Sequence, residues 1–249
     1  MIPMEYESLK QDLRRAYDAK AEAREHMVDA PWKQEERVRF TEHLREASAR
    51  TILEIGAGHG VSGRYFADEG FEVTCIDLSP EMVGYCRAKG LTAEVMDFSA
   101  LAFDDGVFDA VFGMNTLLHV PRSQLDAVLC EVKRVLAPGG MFYWGQYGGQ
   151  DSEQVWPDDH YEPKRFFSLM TVEGITAIAA EHFELIDLAA REPDYTGLGF
   201  HGLVLRRSRL GLHRTDEEAD RFGGLDFRAT GRRRPRFRSE TRSPEIEEE

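Results

Sequence analysis

Short apolar runs alternate with longer mixed stretches over the first 206 residues of the chain. The runs at 51–55, 71–77, 92–96, 108–114 and 141–146 have the length and the β-branched and aromatic content of buried strands. Between them lie helical patterns with clear punctuation. A helix over about 60–69 is ended by Gly70, and Ser79 and Pro80 supply an N-cap and a first-turn proline for the next. A third, over 122–136, stops before Pro138-Gly139-Gly140. Two helices precede the first strand: 5–29, rich in Ala, Arg and Glu and ending before Pro31, and 33–47, with Val38, Phe40 and Leu44 at near-helical spacing. After residue 146 the rhythm changes to a long polar and aromatic connection over 147–170, a helix at 171–181, and strands at 183–190 and 199–206. The last two strands have no crossover helix between them, so they are expected to run antiparallel. The pattern predicts an α/β fold: a doubly wound, seven-stranded sheet, mostly parallel with the last strand antiparallel, and helices on both faces.

The first strand breaks into Glu54-Ile55-Gly56-Ala57-Gly58-His59-Gly60. Three alternating glycines bring bare backbone close to a ligand, because a side chain at any of them would fill the ligand's space. Asp77, at the end of the second strand, lies 21 residues after Gly56, close to the offset of about 20 at which a βαβ unit presents a carboxylate to ribose hydroxyls. A dinucleotide site needs G-x-G-x-x-G, and position 61 is Val61. Glu54, two residues before the first glycine, would repel a pyrophosphate and would suit the ammonium of an amino-acid group. Adenosine joined to a methionine ammonium is S-adenosylmethionine, the cofactor the loop predicts. Leu78 and Met82 stand where they would pack on adenine, and His59 where it would lie near the methionine tail.

The order and spacing of five segments resemble the class I S-adenosylmethionine-dependent methyltransferases, in the small-molecule group of type 11/25 domains. They are the glycine run, IDLSPEMV at 76–83, AEVMDFSALAFDDGVFDAVF at 93–112, NTLLHVP at 115–121 and EVKRVLAPGGMFYWGQY at 131–147. The resemblance covers about residues 12–206 and implies a Rossmann-like sheet. It implies that the Asp97 side chain accepts the adenine amino group, that the Phe98 backbone N–H reaches a ring nitrogen, and that a carbonyl near Asn115 and Thr116 accepts from the methionine ammonium. It also implies an N-terminal helical lid (1–50) before a methyltransferase domain (51–208), while the sparse apolar content of the Arg/Glu-rich tail (209–249) predicts disorder or weak helix there. Tyr17, in AYDAKAEARE, is similar to the tyrosine-aspartate entry at which the lid helix folds over the cofactor, although the chain departs from that pattern around Arg24, where an aromatic is usual.

His119, in LLHVP just past the fourth strand, borders the expected reaction zone. It is the candidate base, since an unperturbed histidine titrates near neutrality; ordering of the loop is the alternative. Selection of the acceptor falls to Tyr147, Trp156, His160, Tyr161, Arg165 and Phe166 in the long connection, because loops over a fixed cofactor site are where specificity varies. Transfer from a sulfonium needs alignment and a dry site more than protein chemistry, and an oxygen, nitrogen or carbon acceptor would serve.

Charge and composition narrow the partners. Of the net charge of −14, the segment from Arg206 onward carries twelve arginines against ten acids, so the preceding residues stand near −16. Such a body repels phosphates, which disfavours nucleic acid and favours a small-molecule acceptor. No run of 18 apolar residues and no apolar signal core is present, so a soluble cytoplasmic protein without membrane attachment is expected. Cys75, Cys86 and Cys130 lack metal-ligand spacing and read as packed thiols. Met114-Asn115-Thr116-Leu117 offers no carboxylate cluster, so metal-independent catalysis is expected, and lacks the Pro-Pro-aromatic run of base N-methylation. Two alternatives remain: an RNA or protein methyltransferase that uses Arg232, Arg233, Arg234, Arg236, Phe237 and Arg238 as a binding module, and a nicotinamide-dependent oxidoreductase.

Overall fold

The computed structural model describes residues 4–193 and 197–209. The arginine run at 232–238, and with it nearly all of the expected tail, lies outside the described residues. Strands β1 (Thr51–Ile55), β2 (Glu72–Asp77), β3 (Thr92–Val95), β4 (Phe108–Met114), β5 (Leu136–Gly148), β8 (Glu184–Arg191) and β9 (Gly199–Arg206) form one sheet in the order β3-β2-β1-β4-β5-β9-β8. The first five are mutually parallel, and β9 runs antiparallel to both β5 and β8. The order reverses between β1 and β4, and the crevice at that switch point is where an α/β sheet takes a ligand.

Both faces of the sheet are covered, which is why its central strands are apolar at nearly every position. On one face α6 (Arg122–Val135) and α7 (Val172–His182) bury Val128, Leu129, Val132, Ile175 and Ala179 against Leu53, Val111, Phe142 and Leu203. On the other, α3 (Pro31–Glu46) and α4 (Val61–Asp68) bring Phe40, Leu44 and Phe66 onto Ile52, Phe112 and Tyr143, while α5 (Pro80–Ala88) packs Val83 and Cys86 on Cys75 and Ala93. Neighbours such as Ile52 and Leu53 enter opposite cores, as the two-residue strand period requires. Full burial of a side chain such as Phe40 contributes roughly 1.5–3 kcal/mol. Ser79 caps α5 by accepting from the Met82 N–H at 3.1 Å, and Thr171 caps α7 through the Gly174 N–H at 3.2 Å.

Three expectations need correction. The N-terminal helix is two helices, α1 (Met4–Asp18) and α2 (Ala21–Glu25). The break has a tertiary cause: Asp18 accepts from the Ser79 hydroxyl at 2.5 Å, which docks the end of α1 on the start of α5. The connection over 147–170 contains a two-stranded antiparallel ribbon, β6 (Ser152–Val155) with β7 (Phe166–Leu169). Strand β5 starts at Leu136 rather than 141, and its register against β4 shifts between Phe108 and Ala110 to take in Pro138-Gly139-Gly140. Among the described residues no helix is long and apolar enough to cross a membrane.

Candidate functional site

A cavity of about 340 Å³ opens at the carboxyl ends of β1, β2 and β4, and α1, α2, α3 and the β6–β7 ribbon cover it. Its volume is in the range of cofactor and small-ligand sites. Glu54, Gly56, Ala57, Gly58 and His59 line it from the β1 loop, Asp77 and Leu78 from β2, Phe98 from the segment after β3, and Asn115, Thr116 and His119 from the segment after β4. Tyr17, Tyr147 and Arg165 complete the group of expected residues that reach it.

The glycines divide the work. A Cβ on Gly56 would lie 2.6 Å from the Thr116 side chain, so this glycine lets the β1 and β4 loops meet, whereas a Cβ on Gly58 would meet nothing within 4 Å and would project into open space. Both have φ near +60°, where side chains other than glycine's are strained. Asp77 is held by both oxygens: Oδ2 accepts from the Gly58 N–H at 2.8 Å and Oδ1 from the Ser79 N–H at 2.9 Å. Each oxygen keeps lone-pair capacity, so the carboxylate is aimed and still able to accept. Burial raises its pKa, opposed by those two donors. Asn115 adopts the left-handed conformation at φ 57°, held by its own N–H to the Gly145 carbonyl at 2.7 Å and by the Tyr147 N–H to its Oδ1 at 3.2 Å. Asparagine is among the residues that enter this region most readily, and these two hydrogen bonds hold the turn in place.

Glu54 is 4% exposed. Burial pushes its pKa up to about 8, opposed by the Cys75 thiol donating at 3.4 Å and by the charge of Arg37. Arg37 is itself buried; its Nη1 donates to Asp29 at 2.8 Å and to the Ser62 hydroxyl at 3.4 Å. On the opposite wall Arg165 binds Asp159 at 2.9 Å and donates from Nη1 to the Tyr17 hydroxyl at 3.2 Å. The Tyr17 hydroxyl lies 3.1 Å from His119 Nε2, and His119 Nδ1 lies 2.8 Å from the Phe166 carbonyl. A carbonyl only accepts, so Nδ1 carries the proton, and Nε2 accepts from Tyr17. Burial pushes the His119 pKa down to about 3, opposed by the Phe166 carbonyl and reinforced by Arg165 and Arg24.

Seven expected residues lie off the cavity wall. Gly60 faces Cys86 and Leu91, where a Cβ would come within 3.0 Å, so it serves the packing of α5. Met82 is fully buried in α5. The Asp97 carboxylate is taken by the Lys10 ammonium of α1 and by the Ser99 N–H at 2.8 Å. Trp156 packs edge-on to Phe167, and His160 is exposed. Tyr161 is buried beneath Arg165, whose guanidinium lies 3.6 Å from its ring centroid. Phe166 gives its carbonyl to His119, and the next residue along the strand, Phe167, faces the cavity instead.

The sequence reading missed Arg24, Asp29, Lys33, Arg37, Ser62 and Phe167, all of which line the cavity. Asp29, Lys33 and Arg37 at successive four-residue steps were the available signal.

Residues 52–140 match the family model described as "Methyltransferase domain". The chain is 38% identical over 113 residues to the 2-methyl-6-phytyl-1,4-hydroquinone methyltransferase of Synechocystis sp., a match covering 42% of this chain and 34% of that one. It is 38% identical over 104 residues to a ubiquinone biosynthesis O-methyltransferase of Xanthomonas oryzae pv. oryzae, covering 39% and 42%. It thus spans less than half the length of the curated relatives it matches. In fold it is similar to the Burkholderia thailandensis 1,6-didemethyltoxoflavin-N1-methyltransferase, with a TM-score of 0.66, 20% identity, and coverage of 84% of this chain and 91% of that one. The stretch that matches this family model, 52–140, holds both the glycine loop and the aimed strand-end carboxylate Asp77.

Proposed function

We propose that the chain is an S-adenosylmethionine-dependent methyltransferase that alkylates an oxygen, nitrogen or carbon nucleophile of a small molecule without a metal ion. The observation that carries this reading is the Asp77 carboxylate, fixed by the Gly58 and Ser79 N–H groups beside a loop that is open at Gly58. The residues present fit the cofactor. Asp77 would take the ribose hydroxyls, Leu78 and Phe98 would flank the adenine, Glu54 and the Asn115 turn would take the ammonium, and Arg37 with Ser62 would take the carboxylate. The bound cofactor supplies a methyl group already activated by its sulfonium. The protein aligns an acceptor against it and excludes water.

One relative is named for a hydroquinone and another for ubiquinone biosynthesis, which supports a small-molecule acceptor. Helices α1 and α2 act as a lid tied down by Lys10 to Asp97, Asp18 to Ser79 and Lys89 to Glu25. His119, neutral and already engaged by Tyr17, serves as a positioning residue that orients the Tyr17 hydroxyl. Incubating the full chain with methyl-labelled cofactor and a fractionated cell extract tests the proposal. Label in a small-molecule product is the expected result, and label in RNA or protein alone would point to the macromolecular alternative.

A further inference from the structure

Of the five Lys and Arg side chains that line the cavity, four have a carboxylate partner: Arg165 has Asp159 at 2.9 Å, Arg37 has Asp29 at 2.8 Å, Lys33 has Asp29 at 3.4 Å and Arg14 has Asp18 at 3.6 Å. The fifth is Arg24 of α2. Among the described residues no carboxylate stands at ion-pair distance from it. Its Nη1 donates to the Tyr161 hydroxyl at 3.1 Å, and its Nε is buried and meets no acceptor. The guanidinium lies 5.1 Å from the Tyr17 ring centroid, on the side of the cavity where Tyr17, His119 and Arg165 converge. Its charge is felt at the Asp77 carboxylate, whose pKa it lowers, but no carboxylate among the described residues touches it; a half-buried guanidinium without an ion-pair partner is unfavourable, and arginine does not escape by losing its proton. The arrangement asks for an anion from outside the chain.

A second observation bears on the same chemistry. The imidazole that would act as base has its free nitrogen occupied by the Tyr17 hydroxyl, and burial beside Arg165 and Arg24 opposes its protonation. Adding a sulfonium to this wall adds a further positive charge, which a negative acceptor offsets.

We propose, on the methyltransferase reading above, that the acceptor is an organic anion, a carboxylate, phenolate or enolate, whose charge pairs with Arg24 and is methylated as the anion with no protein base. In that step the acceptor's electron pair forms the bond to the methyl carbon as the carbon–sulfur bond breaks, and the pair from that bond stays on sulfur. The products are the neutral methyl ester, ether or C-methyl ketone and S-adenosylhomocysteine, and no proton changes hands.

The test uses the full chain saturated with S-adenosylhomocysteine and three matched probe pairs: octanoate with octanamide, 4-hydroxybenzoate with 4-hydroxybenzamide, and 4-nitrophenolate with 4-nitroanisole, titrated calorimetrically. At least one anion should bind about tenfold or more tightly than its neutral partner, Arg24→Gln should erase that preference, and Arg24→Lys should keep part of it. S-adenosylmethionine affinity should be unchanged in Arg24→Gln. Equal binding of anions and neutral partners, no binding of any anion, or a matching loss of S-adenosylmethionine affinity in Arg24→Gln, which would assign Arg24 to the cofactor, would each overturn the proposal. Should Arg24→Gln not fold, the wild-type preference and Arg24→Lys still decide. Wild-type protein that fails to bind S-adenosylmethionine would instead overturn the methyltransferase reading itself.

Discussion

Glu54 sets burial against charge within a single side chain. Its pKa of about 8 in the fold stands far above the value of about 4.3 expected in an unfolded chain. Between those values the folded chain holds a proton that the unfolded chain has lost, so stability without ligand should fall as pH rises through this window and level off above pH 8. Binding of an ammonium beside Glu54 requires the carboxylate, and so expels the proton. S-adenosylmethionine affinity should therefore strengthen by up to about tenfold per pH unit as pH approaches 8, with proton release seen by calorimetry in buffers of different ionisation enthalpy. Glu54→Gln should flatten the profile; a wild type with no proton release would remove Glu54 from the ammonium site. Glu54 and Asp77 were legible in the sequence because the βαβ unit fixes where strand ends fall. The pairing of Asp97 with Lys10 was not legible, because Lys10 lies 87 residues away on a helix whose docking no local pattern announces. Arg24 and Arg37 were hidden for the same reason.

At the scale of elements, the seven strands form one hydrogen-bonded sheet and its cover is assembled from separate pieces. The cover rests on a few polar ties: Asp18 to Ser79, Lys89 to Glu25, and the chain from Asp159 through Arg165, Tyr17 and His119 to the Phe166 carbonyl. Tyr6, Ala16 and Ala21 add buried apolar contact to these ties, and lids over binding sites are drawn from the segments that open below the global unfolding energy. Saturating S-adenosylmethionine should slow hydrogen exchange in 4–25 and 152–169 by about tenfold or more and leave β1 and β4 nearly unchanged. Equal effects throughout the chain would contradict the lid. The sheet's strands and the reversed last one were readable because buried parallel strands are apolar runs with clear punctuation and the last two strands lack a crossover helix. The ribbon was not, because β6 is four mostly exposed residues, Ser152–Val155, three of them polar. The break between α1 and α2 has no glycine or proline to mark it.

For the whole molecule, the charge of −14 argues against a general nucleic-acid surface, and the cavity argues for a small acceptor. Metal-independent transfer is expected as well. Among the described residues the single His/Cys/Asp/Glu group with ligand spacing is Asp126, Cys130 and His182, which lies on α6 and α7 and does not line the cavity. Turnover should therefore survive a chelator undiminished; loss restored by magnesium would contradict this. The cavity is expected to bind S-adenosylmethionine through Asp77. Calorimetric titration of wild type and Asp77→Ala tests it most directly, with folding of both checked by circular dichroism. Loss of two charge-assisted hydrogen bonds, each worth roughly 1.5–3 kcal/mol, should weaken binding by about two decades or more in the variant. Equal affinity in a folded Asp77→Ala, or no binding by the wild type, would contradict the account.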